Sequence, residues 1–313
     1  MLGSVMVAQR TLHIGRKRPP VPEARRGSGS PTLRRRELGA KLRALRNERG
    51  LTVDQVSERL LCSPSKVSRM ETGQRGATAR DIRDLCELYE VANPDERARL
   101  ARLAVEGKQQ GWWQSYELVD LATYVGLEEA ATAIRSFKST TVPGLLQTAP
   151  YARVIHESAA LDFSSERIDQ FVQARMARQQ ALTKESPLQL WAVLDEPVLH
   201  RLVGGYRVMR DQLRQLAEVA EMPNVTIQIV PFSIGAHPAM ESSFDILDLG
   251  TVAPSVVYVE GMAGNTYLER AQDLERYEKA FEILRGAALG PQESLELITE
   301  TAVRYNRAVV RAG

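Results

Sequence analysis

The side chains able to do acid–base or metal chemistry are few and scattered. Asp195-Glu196, Glu260, His200 and His237 lie at the ends of strand-like runs, where a carboxylate or imidazole can act as a general acid or base. The adjacent Asp-Glu of the DEPVL turn has a plainer role as well, since negative charge before a helix complements the helix dipole. Histidines at 13, 156, 200 and 237 show no metal-ligand spacing, and Cys62 and Cys86 are too few for a cysteine-based zinc module. The chain has no glycine-rich phosphate loop, nucleophile elbow or Cys-His pattern. The expectation is a protein that is not an enzyme and holds no cofactor and no metal. What remains to be explained is the arrangement of charge.

The net charge of +2 over 313 residues conceals an asymmetry. Residues 1–50 carry 13 Lys and Arg against 3 Asp and Glu; residues 51–110 are balanced at 10 each; residues 111–313 carry 18 against 26. A basic end on an acidic body suggests one part that binds a polyanion and a second part with another task. The length fits about two domains at roughly 150 residues each. An apolar share of 43% and a mean hydropathy of −0.27 exclude a wholly disordered chain, and no stretch approaches the ~18 apolar residues that span a bilayer. Met1–Val7 is apolar but short and has no basic residues ahead of it, so no signal peptide is expected. Two cysteines fit a cytoplasmic protein.

The elements that must position any polyanion contacts follow from periodicity. Residues 1–32 mix Arg and Lys with Pro, Gly and Ser and are expected to form a disordered basic tail, either an arm that tracks phosphates or mere upstream sequence. From Leu33 the pattern is helical. Leu38, Leu42 and Leu45 form one stripe, and Gly50 stops the helix. Thr52 caps the next, with Val53, Val56 and Leu60 inward. Ser63-Pro64 is a helix start, with Ser as the cap and Pro at the first turn. The helix Pro64–Thr72 buries Val67 and Met70. Helices at Ala79–Glu90 and from Asn93-Pro94 to about Gly107 follow. Five short helices over residues 33–107, the second and third joined by a tight turn, describe a helix-turn-helix domain.

The segment Leu51–Gly73, LTVDQVSERLLCSPSKVSRMETG, resembles the XRE group of lambda-repressor-like DNA-binding domains, and SPSKVSRMETG resembles its actinobacterial members. The resemblance implies that Pro64–Thr72 enters the major groove of double-stranded DNA. Arg69 then has the reach and fork for guanine, Ser65 and Ser68 stand beside it, and Pro64 can touch a thymine methyl. Arg43, Arg46, Thr52, Ser63, Lys66, Gln74 and Arg75 are assigned to phosphates, which give affinity and salt dependence rather than sequence preference. Glu71 stands where the family ties this helix to the rest of the domain. Val53 departs from the family, which usually has a DNA-contacting Gln there. Cys62 and Cys86 read as small core residues.

Residues 108–313 read as an α+β domain. Trp112-Trp113 opens it and reads as packing at a domain or dimer interface. Helical patterns cover 115–135, 148–160, 165–184, 207–221, 267–286 and 291–306. Strand-like runs are Leu188–Leu194, Val225–Phe232, Ser243–Leu249 and Ser255–Glu260, giving a mixed or antiparallel sheet. VPGLLQTAPYAR, ARMARQQAL, LDEPVLHRLVGG, NVTIQIVPFSIGAH and VVYVEG resemble, in order, the uncharacterised C-terminal domain joined to XRE modules in actinobacteria. Its members are described as antitoxin-like or developmental regulators, often encoded beside a small partner protein. The resemblance implies a homodimeric, cytoplasmic, nucleoid-associated transcription regulator without a membrane partner, on a pseudo-palindromic operator. The second domain is expected to dimerise and to bind that small protein; an effector pocket lined by Trp191, Tyr258 and Glu260 is the alternative, and a fused enzyme a further one.

Overall fold

The computed structural model describes residues 30–109, 111–116, 121–159, 163–261 and 264–312. Most of the basic tail read over residues 1–32 lies outside the described residues; Pro31 and Thr32 already belong to the first helix.

Helices α1 (Pro31–Glu48), α2 (Val53–Arg59), α3 (Pro64–Glu71), α4 (Ala79–Leu88) and α5 (Pro94–Glu106) pack around Leu38, Leu42, Val56, Val67, Met70, Ile82, Leu85, Tyr89 and Leu100. Their boundaries are locally encoded. Gly50 and Gly73 adopt φ values of +64° and +70° after α1 and α3, a region that glycine enters without strain. Thr52 and Thr78 form reciprocal capping boxes with Gln55 and Asp81. Gly39 sets the α1–α3 spacing: a Cβ there would lie 2.5 Å from the Glu71 carbonyl oxygen, so the helices approach backbone to backbone.

The second domain is built on a six-stranded sheet of order β3-β2-β1-β4-β5-β6. Its strands are β1 (Ala133–Lys138), β2 (Gln189–Asp195), β3 (Val225–Val230), β4 (Phe244–Asp248), β5 (Val256–Val259) and β6 (Thr266–Leu268). β1, β2 and β3 run parallel, and β4, β5 and β6 add antiparallel on the other side of β1. The sheet is therefore mixed. Helices α6 (Ala122–Ala130), α7 (Ala149–Ala159), α8 (Ser165–Arg178), α9 (Pro197–His200), α10 (Gly205–Val219), α11 (Ala271–Ala287) and α12 (Pro291–Ala312) complete the domain. Ile134, Leu190, Ala192, Leu194, Ile227 and Leu247 face one core, shared with α6, α10 and α12. Phe137, Val193, Phe244, Ile246 and Val257 face the other, shared with Phe281 and Leu284 of α11.

Two strands escape the sequence reading. β1 falls within the helical pattern read over 115–135 and just past it, because its two large apolar residues, Ile134 and Phe137, stand three apart. In the strand they enter opposite cores. A strand buried on both faces need not alternate, so period alone misreads it. β6, three residues long, falls at the start of the pattern read over 267–286.

The two parts meet through the first turns of α1. Ser30 Oγ donates to the Gly126 carbonyl (3.0 Å), Arg36 pairs with Glu269 (3.1 Å), and Leu33 packs on the second core. A Cβ on Gly126 would lie 2.1 Å from Thr32 Oγ1, so this close approach requires glycine. Trp113, buried in the second core, sits beside Gly126 at that junction, while Trp112 meets it edge to face.

Candidate nucleic-acid interface

Helix α3 is fixed at both ends before any ligand arrives. Ser63 Oγ accepts from the Lys66 amide (3.2 Å), and Pro64 occupies the first turn, where its missing N–H costs nothing. Val67 and Met70 anchor the inner face. Pro64, Ser65, Ser68 and Arg69 are exposed, and Ser65, Ser68 and Arg69 share one outer stripe by their spacing of three and four. Arg69 Nε leans back to the Ser65 carbonyl (3.3 Å), and among the described residues neither Arg69 nor Arg75 makes an ion pair. Gln74 and Arg75 stand exposed in the turn after the helix; Thr52 stands exposed at the start of α2.

Other cations are committed inside the domain. Arg46 grips Glu71 with two bonds, Nε to Oε1 at 2.7 Å and Nη2 to Oε2 at 2.9 Å, while Nη1 donates to the Leu51 carbonyl (2.7 Å). The hydrogen bonds to Glu71 raise the Arg46 pKa above its usual value. Arg46, read from the sequence as a phosphate ligand, is thus drawn inward by a buried carboxylate and joins α1 to α3. Arg43 lies farther from Glu71, at 3.7 Å, with much of its side chain at the surface. Lys66 is also turned inward, onto Asp81 at 2.5 Å. Burial pushes the Asp81 carboxyl up, but bonds from Lys66 and from the Thr78 amide and hydroxyl outweigh it and hold the pKa below the usual range. Val53 is half-buried against the helical core rather than presented outward. Asp81, missed in the sequence reading, is the residue that ties α3 to α4; the T-x-x-D capping pattern at Thr78 is the signal that points to it.

Residues 37–100 match a family described as helix-turn-helix domain. Residues 121–300 match the family described as domain of unknown function (DUF5753). The chain belongs to that family. No curated protein and no solved structure matches it. A helix-turn-helix region joined to the DUF5753 domain marks a DNA-binding regulator. Among the described residues no helix is long and apolar enough to cross a membrane.

Within the DUF5753 domain, the residues read as an effector pocket do not converge. Trp191 lies on the α11 side of the sheet, under Arg285 and edge-on to Phe281; Tyr258 is buried on the opposite side against Tyr124; Glu260 is exposed beyond β5. Strand register separates them, because Trp191 and Tyr258 point to opposite faces. Four of the acid–base candidates, Asp195, Glu196, His200 and His237, have partners within the fold. Glu196 accepts from the Phe232 amide (2.7 Å) with one oxygen and meets His200 with the other (3.1 Å), and His237 Nε2 lies 3.6 Å from Asp195. Burial pushes the Cys86 thiol pKa up, in keeping with a core residue.

His156, stacked on Phe171, is held down to about 4 by burial and by the neighbouring charges of Arg175 and Arg178. Its folded pKa lies below its ordinary 6.5, so the unfolded chain takes up the proton first as pH falls. The DUF5753 domain should lose stability between pH 6.5 and about 4. Urea midpoints at pH 7 and 4.5 should converge in His156→Phe; an unchanged pH difference would exclude His156 as the cause.

Proposed function

We propose that the chain is a sequence-specific transcription regulator of the lambda-repressor-like, XRE kind. In this reading it binds DNA as a homodimer, with α3 in the major groove and the DUF5753 domain carrying dimerisation and control rather than catalysis. The observation that carries the proposal is the outer stripe Ser65, Ser68 and Arg69 on a helix capped, spaced and ion-paired from behind within a helix-turn-helix domain. A major groove admits such a helix, and an Arg fork can take guanine O6 and N7 there. The actinobacterial resemblance and the antitoxin-like arrangement with a small partner protein extend this reading. In this reading the operator is pseudo-palindromic, which calls for two reading heads about one helical turn apart and hence a dimer.

Genome-wide mapping of bound DNA gives the operator on which the reading is tested. Arg69→Ala should cost about 1–3 kcal/mol on that operator and leave binding to random DNA nearly unchanged. Equal losses on both would remove Arg69 from base reading. Arg75→Ala should instead weaken binding to every sequence and lower the salt slope by about one ion; an unaltered slope would show that Arg75 touches no phosphate. Light scattering that finds a monomer with and without operator would overturn the dimer.

A further inference from the structure

We propose that helix α12 is the dimer seam: its outer face packs antiparallel against the same face of a second copy of this chain, across a two-fold axis. The proposal rests on the homodimer reading above and names the surface that carries it. Helix α12 is 22 residues long. Its inner face is fixed by Ser294, Ile298, Thr301 and Ala302, all buried, and by Tyr305, whose hydroxyl donates to the Leu199 carbonyl (2.9 Å). The opposite face is open. Glu296, Glu300, Val303, Arg307 and Val310 are all exposed and follow one another at intervals of four, three, four and three. At about 100° per residue they fall within roughly 80° of arc, on the side away from the buried residues. That alternation is the spacing of the seam in a pair of helices.

Two properties of the stripe point to a second copy. Val303 is 46% and Val310 72% exposed, so the stripe holds apolar surface left uncovered among the described residues. The charges are also divided along the helix: Glu293, Glu296 and Glu300 precede Val303, and Arg304, Arg307 and Arg311 follow it. The helix dipole accounts for Glu293 in the first turn and Arg311 in the last, but its reach ends within a turn, and Glu300 and Arg304 lie mid-helix. Among the described residues none of the six makes an ion pair. Arg304 turns to the Thr301 hydroxyl (2.8 Å), and Glu296 accepts from the Gln292 amide (3.3 Å). Such a helix is complementary to itself only when the two copies run antiparallel. In a two-fold pair residue i meets j as j meets i. An axis between Val303 and Arg304 then sets Glu300 opposite Arg307 of the partner subunit and Glu296 opposite Arg311 of the partner subunit. A parallel pair would set each charge against its own copy, which is repulsive.

The test follows the full chain by sedimentation equilibrium over a concentration series. Wild type should be a dimer. Val303→Asp, which places two carboxylates at the axis, should raise the dimer Kd by about tenfold or more. Glu300→Arg and Arg307→Glu should each do the same, since each sets like charges face to face. Combining Glu300→Arg with Arg307→Glu exchanges the two charges and should return the Kd to within about threefold of wild type, a recovery that damage to the fold would not give. All three side chains are exposed, so no variant removes a buried contact. An unchanged Kd in Val303→Asp and Glu300→Arg would overturn the seam and leave the dimer reading standing on another surface. A double variant that fails to recover would also overturn the seam, and a monomeric wild type would overturn both the seam and the dimer.

Discussion

Arg178→Met should destabilise the DUF5753 domain by about 3–5 kcal/mol, because it leaves Glu128 charged, buried and unpaired. The two side chains are only 5% and 2% exposed, so water cannot replace the lost partner. The charge of Arg178 also crosses the ring of Tyr124, whose hydroxyl donates to Asp245 (3.1 Å), so the damage should reach β4. Adding Glu128→Leu to Arg178→Met should recover much of the loss, since an apolar pair of similar volume avoids the desolvation of both charges. The two domains have separate cores, so the measurement is denaturant unfolding followed by probes for each part rather than a single transition. A loss below about 1 kcal/mol in the single variant would show that Glu128 is solvated or neutral and that the pair does not hold α6 to α8.

Arg46→Ala should cost the helix-turn-helix domain about 3 kcal/mol by the same reasoning, slightly eased because Arg43 lies 3.7 Å from the abandoned Glu71. Two bonds to Glu71 and one to the Leu51 carbonyl hold α1, α3 and the entry to α2 together. The expected result is therefore a lower unfolding midpoint for this domain, with DNA affinity reduced only in proportion to the folded fraction. A variant that keeps its midpoint and loses affinity would return Arg46 to the phosphate contacts.

These two arginines show how far a sequence can be read. The helix-turn-helix elements were legible because their signals are local: Thr52, Ser63 and Thr78 as caps, Gly50 and Gly73 as stops, and apolar stripes of period 3.6. Cation destinations were not. Arg46 and Lys66 lie next to outward-facing positions in sequence, yet Glu71 and Asp81, each on another helix, draw them inward. Arg175 and Arg178 carried a signal that went unused: they continue the inner stripe of Ile168 and Val172, and a charge on a buried stripe must find a partner.

By itself the sequence determined the helix-turn-helix, the exposed stripe of Ser65, Ser68 and Arg69, the α+β character of the second domain and four of its six strands. These depend on neighbours within one or two turns of chain. Only the tertiary structure decided that Ile134 and Phe137 belong to a central strand, that Trp191 and Tyr258 face opposite cores, and that Arg178 is buried against Glu128. Each of those depends on residues distant in sequence, from sheet partners 56 positions away at Ala133 and Gln189 to the Pro143-Gly144 turn beside α8. Local propensity cannot carry that information, because burial and electrostatic pairing are properties of the packed chain.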